Sequence, residues 1–134
     1  MTRGHKTTPV TVVVADDDED LRLLVRVTLE RNGVQVIEEA IDGPDALRVI
    51  GELDPPPVPT IMVLDNQMPG LTGLEVAARV LESVPTQRII LFSAYLDDDV
   101  RQEARALGIA QCVSKTEIQR LPKLVQQLAG DDAP

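Results

Sequence analysis

The sequence predicts an α/β domain built on a doubly wound parallel sheet, with helices on both faces. Three observations lead there. Five short runs rich in Val, Ile and Leu alternate with five stretches of helical periodicity along the chain, the pattern of consecutive βα units. The runs are almost continuously apolar rather than alternating, as strands covered on both faces are. A length of 134 residues supplies one domain with a real core and falls short of two ordinary ones.

The first strand is predicted over Thr11–Ala15. Asp18 caps the helix behind it, with Glu19 and Asp20 favourable in its first turn. Leu21, Leu24, Val25, Thr28 and Leu29 fall on one face, and Asn32-Gly33 stops that helix. Val34–Ile37 is the second strand. Asp42-Gly43-Pro44 opens a helix carrying Ala46, Leu47 and Ile50. The proline-rich stretch 54–59 admits neither helix nor central strand and is expected as a stiff connection. Thr60–Leu64 is the third strand. Thr72-Gly73-Leu74-Glu75 matches a capping box, and the helix it starts runs through Ala77, Ala78 and Leu81. Arg88–Phe92 is the fourth strand. Asp97–Leu107 is helical, with acids at its start, Arg101 and Arg105 further on, and Gly108 at its stop. Gln111–Ser114 is a short fifth strand. Thr116–Ala129 is the last helical region, with Pro122 placed where a first helical turn tolerates it and Gly130 ending it. The domain is expected over residues 10–130, with a flexible tail at 1–9 and a short one at 131–134.

Composition excludes several function classes. The formal net charge is −9, which argues against direct nucleic-acid binding, since phosphate affinity rests on clustered Lys and Arg. Phe92 and Tyr95 are the only aromatic residues, so the core has to be aliphatic. The single Cys112 excludes an internal disulfide or a cysteine-based zinc site. The single His5 lies in the polar start, away from any candidate chemistry. No segment has the pattern of a secretory signal or a membrane span, and a cytoplasmic protein is expected.

The strand ends carry the functional signal. Val12-Val13-Val14-Ala15 runs into Asp16-Asp17-Asp18, and Ile61-Met62-Val63-Leu64 runs into Asp65. Ser93 follows the fourth run and Lys115 the fifth. Open α/β sheets hold ligands at the carboxyl ends of their strands. Two carboxylates at 4 Å repel by about 4 kcal/mol at an effective dielectric of 20, so a cluster of them asks for a cation or a chemical task. Carboxylate and water ligands suit Mg²⁺, typically held by one or two carboxylates plus a substrate phosphate. An EF-hand is excluded: Leu21 and Val27 stand where its glycine and bidentate glutamate belong. Beside such a metal, Asp65 is placed as a nucleophile that forms an aspartyl phosphate, with Ser93 and Lys115 taking phosphoryl oxygens.

These residues and their surroundings resemble the receiver domains of two-component response regulators, in particular the stand-alone chemotaxis type. The matching motifs are Val-Val-Val-Ala-Asp-Asp-Asp at 12–18, Asp-Gly-Pro-Asp-Ala-Leu at 42–47, Val-Leu-Asp-Asn-Gln-Met-Pro-Gly-Leu-Thr-Gly at 63–73, Phe-Ser-Ala at 92–94 and Val-Ser-Lys at 113–115. The resemblance implies a flavodoxin-like five-stranded parallel sheet in the order 2-1-3-4-5 with five helices. It implies that Asp65 accepts phosphate from a sensor histidine kinase or phosphotransfer protein. It makes Asp17 a direct Mg²⁺ ligand, Asp16 a largely water-mediated one, and the Gln67 backbone carbonyl a further one. Ser93 then follows the phosphoryl group, and Lys115 pairs with the carboxylate before phosphorylation and the phosphate after it. Gln67 and Tyr95 stand where family members tune dephosphorylation.

Three departures are also legible. Cys112 occupies the place of an aromatic switch residue and is expected as a small buried thiol, with Tyr95 as its possible substitute. Thr116 replaces a frequent proline, for which a trans bond is expected because cis costs a non-proline residue about 2.5–4 kcal/mol. The acidic pair and aromatic of the winged-helix subfamily are missing from 108–114. The chain ends just past its last helix, so the expected output is binding of an unknown partner at the face of the fourth helix, fifth strand and fifth helix. The protein is expected to catalyse only its own phosphorylation and dephosphorylation. The alternatives are a receiver-like interaction module that is not phosphorylated, the excised receiver of a larger regulator, and a Mg²⁺-dependent phosphatase. The last lacks an acid two positions after Asp65, where Gln67 stands, and the length for a cap.

Overall fold

A computed structural model of the chain describes residues 10–53 and 60–130. The expected proline-rich connection and both expected tails lie outside the described residues. The strands are β1 (Val10–Ala15), β2 (Val34–Ala40), β3 (Thr60–Leu64), β4 (Arg88–Ser93) and β5 (Gln111–Ser114). The helices are α1 (Glu19–Glu30), α2 (Gly43–Glu52), α3 (Gly73–Ser83), α4 (Asp98–Leu107) and α5 (Leu121–Gly130), with a 3₁₀ segment at Lys115–Arg120 before the last. All strand pairs are parallel, in the order β2-β1-β3-β4-β5.

Strand side chains alternate between faces, and this divides the core in two. Val12, Val14, Ile61, Val63, Ile90, Phe92 and Val113 pack with Val25 and Leu29 of α1 and Leu121, Val125 and Leu128 of α5. Val13, Ala15, Met62, Leu64, Ile89 and Leu91 pack on the opposite face with residues of α2, α3 and α4. Each fully buried Val, Leu, Ile or Phe contributes about 1.5–3 kcal/mol relative to exposure, so the aliphatic layers suffice without aromatic mass.

Local signals set the helix starts. Asp18 accepts from the Asp20 and Leu21 N–H groups, Asp42 from Asp45, and Asp97 from Val100. The capping box at Thr72 and Glu75 is closed in both directions. Gly108, at φ 98°, closes α4 in the left-handed conformation, where other residues are strained.

Three elements differ from expectation. The strand β2 continues three residues past Ile37, through Glu38, Glu39 and Ala40. Its pairing shifts between Val12 and Val13, whose partners are Val36 and Glu38, so Ile37 is an extra residue. That bulge reverses which face the following side chains take. In α1, Val25 and Leu29 are buried, but Leu24 is 50% exposed beside Leu23 and Val27. The stripe is turned because Arg22 and Arg26 reach across its flank to Glu39. The last helical region is divided, with Glu117 leaving helical geometry and α5 starting at Leu121. Pro122 has no N–H to donate and its ring crowds the preceding turn, so one continuous helix is prevented.

Candidate functional site

The strand order alone assembles the site. β1, β3, β4 and β5 are consecutive neighbours, so the residues that end them lie along one edge of the sheet. Asp16 follows β1, Asp65 follows β3, Ser93 closes β4 and Lys115 follows β5. The backbone ladder runs on into the site: the Asp16 N–H donates to the Ala40 carbonyl at 3.1 Å, and the Asp65 N–H to the Ala15 carbonyl at 2.9 Å.

Asp16 and Asp65 are buried, while Asp17 is exposed. One carboxylate oxygen from each of the three lies within 4.8 Å of the others. Lys115 reaches into this group, its Nζ 2.9 Å from Asp16 Oδ2 and 3.1 Å from Asp65 Oδ2. The contact with Asp16 Oδ2 is an ion pair without good hydrogen-bond direction. Asp16 Oδ1 accepts from the Asp18 N–H at 2.9 Å, and Asp65 Oδ1 from the Gln67 N–H at 3.3 Å. The Ser93 hydroxyl is fully buried and has no partner. An unsatisfied buried hydroxyl costs about 1–3 kcal/mol, and such a group calls for an explanation.

The charges lean in a consistent way. Burial is the largest influence on Asp16 and, with the Asp65 charge, raises its carboxyl above the ordinary range despite the Asp18 and Lys115 contacts. Burial opposes the Lys115 charge too, but two carboxylates outweigh it and hold the ammonium above its usual value. The shared cation therefore gains from the cluster, whereas Asp16 loses more to burial than its contacts return.

A sign follows for stability. A carboxyl raised in the folded state binds its proton more tightly there, so the folded state loses stability as pH rises from 3.8, the ordinary Asp value, to the raised one. Above that range the cost is constant. Asp16→Asn is thus expected to stabilise the metal-free protein at neutral pH by on the order of 1 kcal/mol, with the gain shrinking in acid. Urea unfolding at several pH values checks this, and a variant less stable than its parent at neutral pH contradicts it.

Close packing fixes Asp65 from behind. A Cβ on Gly73, at the start of α3, would lie 2.5 Å from the Asp65 carbonyl oxygen and 3.0 Å from the Asn66 Cα. Gly73 donates to the Asn66 carbonyl at 3.0 Å, and Asn66 Oδ1 accepts from the Leu74 N–H at 3.0 Å. We expect Gly73→Ala to cost about 1–3 kcal/mol, as overpacking does, and to move the Asp65 amide resonance. Unchanged unfolding together with an unmoved resonance would show that α3 does not brace Asp65.

The predicted residues come together unequally. Asp16, Asp17 and Asp65 bring carboxylate oxygens within 4.8 Å of one another, Lys115 contacts Asp16 and Asp65, and Ser93 lies on the same edge. Asp18 is the α1 cap, as expected. Gln67 reaches Asp65 through its backbone N–H while its side chain is exposed. Tyr95 is 67% exposed on the loop after β4. Cys112 corrects an expectation: it is half-buried rather than enclosed, beside Arg101, Arg105 and Ile109. Burial pushes its thiol up and the two arginines offset this only in part, so it stays protonated and unreactive at neutral pH. Thr116 uses the N–H that proline lacks: it donates to Ser114 Oγ at 3.3 Å, and the two hydroxyls lie 2.9 Å apart. The supports of the site, Arg22, Glu39, Asn66 and Gly73, were not singled out from sequence. A basic residue at Arg22, one turn into a helix with an acidic start, was the available signal, since cations there oppose the helix dipole.

The donor set fits a hard cation. All the groups that could ligate are oxygens, their charges exceed what Lys115 neutralises, and Asp16 Oδ2 and the Ser93 hydroxyl are buried without hydrogen bonds.

A family profile described as the response regulator receiver domain matches residues 12–127. The chain is 34% identical over 84 residues to a protein-glutamate methylesterase/protein-glutamine glutaminase of Hahella chejuensis, a match covering 63% of this chain and 23% of that protein. The chain thus spans about a quarter of the length of that curated relative. Among solved structures, the signal receiver domain of a response regulator NarL from Mycobacterium tuberculosis aligns with a TM-score of 0.77 and 32% identity, covering 92% of this chain and 98% of that one. A chain from a CheX–CheY–BeF₃–Mg²⁺ complex of Borrelia burgdorferi aligns with a TM-score of 0.81 at 21% identity, covering 94% and 91%, which speaks to the fold alone.

Proposed function

The chain belongs to the response regulator receiver domain family, and on that premise we propose that it takes a phosphoryl group onto Asp65 from a phosphohistidine of a sensor kinase or phosphotransfer protein. An Asp65 carboxylate oxygen attacks the phosphorus, the bond to the donor nitrogen breaks, and its electron pair stays with the imidazole. Asp16, Asp17, Asp65 and the Gln67 backbone carbonyl would hold a Mg²⁺, which supplies neutralisation of the charge on the phosphoryl oxygens. Lys115 offers a second cation to those oxygens, and the Ser93 hydroxyl gains the acceptor it lacks. Hydrolysis ends the signal, with Gln67 and Tyr95 bordering the path of the attacking water.

One observation carries the reading: a buried carboxylate at the end of β3 shares a lysine with a second buried carboxylate, on the sheet edge that also holds a buried serine hydroxyl with no partner. A simple interaction module has no use for these costs. The output follows from the same atoms. Drawing Lys115 and Ser93 towards a phosphoryl group changes what β4, β5 and the flanking helices present, and a partner selects that state. The partner is a protein that reads the face of α4, β5 and α5, or further sequence joined to this domain.

The test uses the protein with Mg²⁺ and a small acyl phosphate, or with beryllofluoride, followed by intact mass and amide spectra. A covalent adduct and resonance shifts reaching from Asp65 through Ser93 into α4 are expected. An unmodified, unshifted protein under saturating donor and Mg²⁺ would rule the reading out. Steady turnover of an unrelated phosphate ester would favour a phosphatase instead.

A further inference from the structure

Asp17 is the one member of the acidic group that has no hydrogen bond or ion pair among the described residues. Its direction therefore depends on its backbone, and chiefly on the peptide that joins it to Asp16. Arg22 holds that peptide. Its Nη1 donates to the Asp16 carbonyl oxygen at 2.7 Å while its Nε donates to Glu39 Oε1 at 3.0 Å. The Arg22 side chain is 13% exposed, so this is a packed contact and not a surface pair of negligible worth.

Glu39 is present because of the β2 bulge. It pairs with Val14, whose side chain faces α1; an unbulged strand would present Glu38 there instead. Arg26 Nε donates to the other Glu39 oxygen at 2.9 Å, with a second, closer contact from Arg26 Nη2. Burial pushes the Glu39 carboxyl up, but the two guanidiniums outweigh it and keep it below the usual range. Glu39 is thus charged at neutral pH and offsets the charge of Arg22. That matters for a cation site. Lys115 competes for the pocket because it sits among the carboxylates, whereas Arg22 braces the pocket from outside with its charge already paired.

With Arg22 in place, the Asp16 backbone is held at both ends, its N–H by Ala40 and its carbonyl by Arg22, while Oδ1 accepts from the Asp18 N–H and Oδ2 has only the ion pair with Lys115. We propose that Arg22, clamped by Glu39, is a positioning residue for the metal side of the pocket, fixing the Asp16–Asp17 peptide so that the Asp17 carboxylate faces the cation. This rests on the Mg²⁺ site proposed above.

Arg26 provides the control, because it shares Glu39 but does not touch Asp16. Mn²⁺ is the probe, its binding measured by paramagnetic resonance, together with amide spectra of the metal-free proteins and urea unfolding. Arg22→Met is expected to weaken Mn²⁺ binding about tenfold or more, the scale on which outer supports of ligands act, and to move the Asp17 amide resonance before metal is added. Arg26→Met is expected to lose similar stability with Mn²⁺ affinity within about twofold of the parent and Asp17 unmoved. Arg22→Lys, which keeps one donor and folds more readily, falls between. Equal affinities in the Arg22 and Arg26 variants, with the parent binding normally, would overturn the positioning role and leave the metal site standing. A parent that binds no Mn²⁺ would overturn both.

Discussion

Asp65→Asn protein is expected to gain no adduct from acyl phosphate and Mg²⁺, and its folded state to be at least as stable as the parent's. The two halves of this result belong together. The amide keeps the shape of the carboxylate and an oxygen to accept the Gln67 N–H, which now bonds Asp65 Oδ1 at 3.3 Å. It lacks the charged oxygen that attacks phosphorus, so modification falls by at least about 10³-fold, the scale on which loss of a nucleophile is felt. Asp16 cannot take over, since it ends a different strand and its Oδ1 is committed to the Asp18 N–H. Stability moves the other way because two buried carboxylates share one ammonium. Neutralising either leaves a simple pair with Lys115 and removes a repulsion. Intact mass gives the first half and urea unfolding the second. An adduct on the variant would move the acceptor elsewhere, and a variant that unfolds more readily would mean that Asp65 is braced by more than the contacts described.

The acidic pocket was legible in the sequence because it obeys a rule of position. Asp16, Asp65, Ser93 and Lys115 each stand at or just past the end of a strand, and parallel strands put all such places on one edge. Strand β3 and the caps at Asp18 and Thr72 were legible for a similar reason, being written within a few consecutive residues. What escaped depends on partners distant in the chain. The predicted second strand stops at Ile37, short of Glu38-Glu39, because nothing near them announces that Arg22 and Arg26 lie across the bulge. The same pairing turns α1, so Leu24, apolar and at helical spacing, faces outward. Gly73 read as part of a helix start; its contact with the Asp65 carbonyl depends on how α3 settles on the sheet. The departures at Cys112 and Thr116 were visible as letters, and their consequences were not. The thiol is only half covered, and the threonine closes a hydroxyl turn around Lys115 that a proline would lack.

Lys115→Met should lower the stability of the metal-free protein by about 3 kcal/mol at neutral pH while raising its affinity for Mg²⁺. The loss arises because Asp16 and Asp65 remain buried with no cation between them, and removing one partner of a buried charge pair costs roughly 3–5 kcal/mol. Methionine keeps most of the aliphatic stem, so packing is a minor part. The deficit depends on pH. Asp16 already binds its proton more tightly when folded, and without Lys115 this tendency grows. Folded protein then takes up protons over a wider range above 3.8, so stability rises as pH falls through that range and the gap from the parent narrows. The gain in affinity comes from the same charges. In the parent, a divalent cation entering the pocket meets an ammonium about 3 Å from both the Asp16 and the Asp65 carboxylates. At an effective dielectric of 20 the repulsion between unit charges 4 Å apart is about 4 kcal/mol, enough for a change of tenfold or more after relaxation. Saturating Mg²⁺ should therefore restore most of the lost stability, since ligand at a hundred times its dissociation constant adds about 2.7 kcal/mol. Thermal unfolding with and without Mg²⁺, and a direct titration of the metal, check both halves. A variant that binds Mg²⁺ more weakly than its parent would mean that Lys115 orders the carboxylates for the metal instead of competing with it.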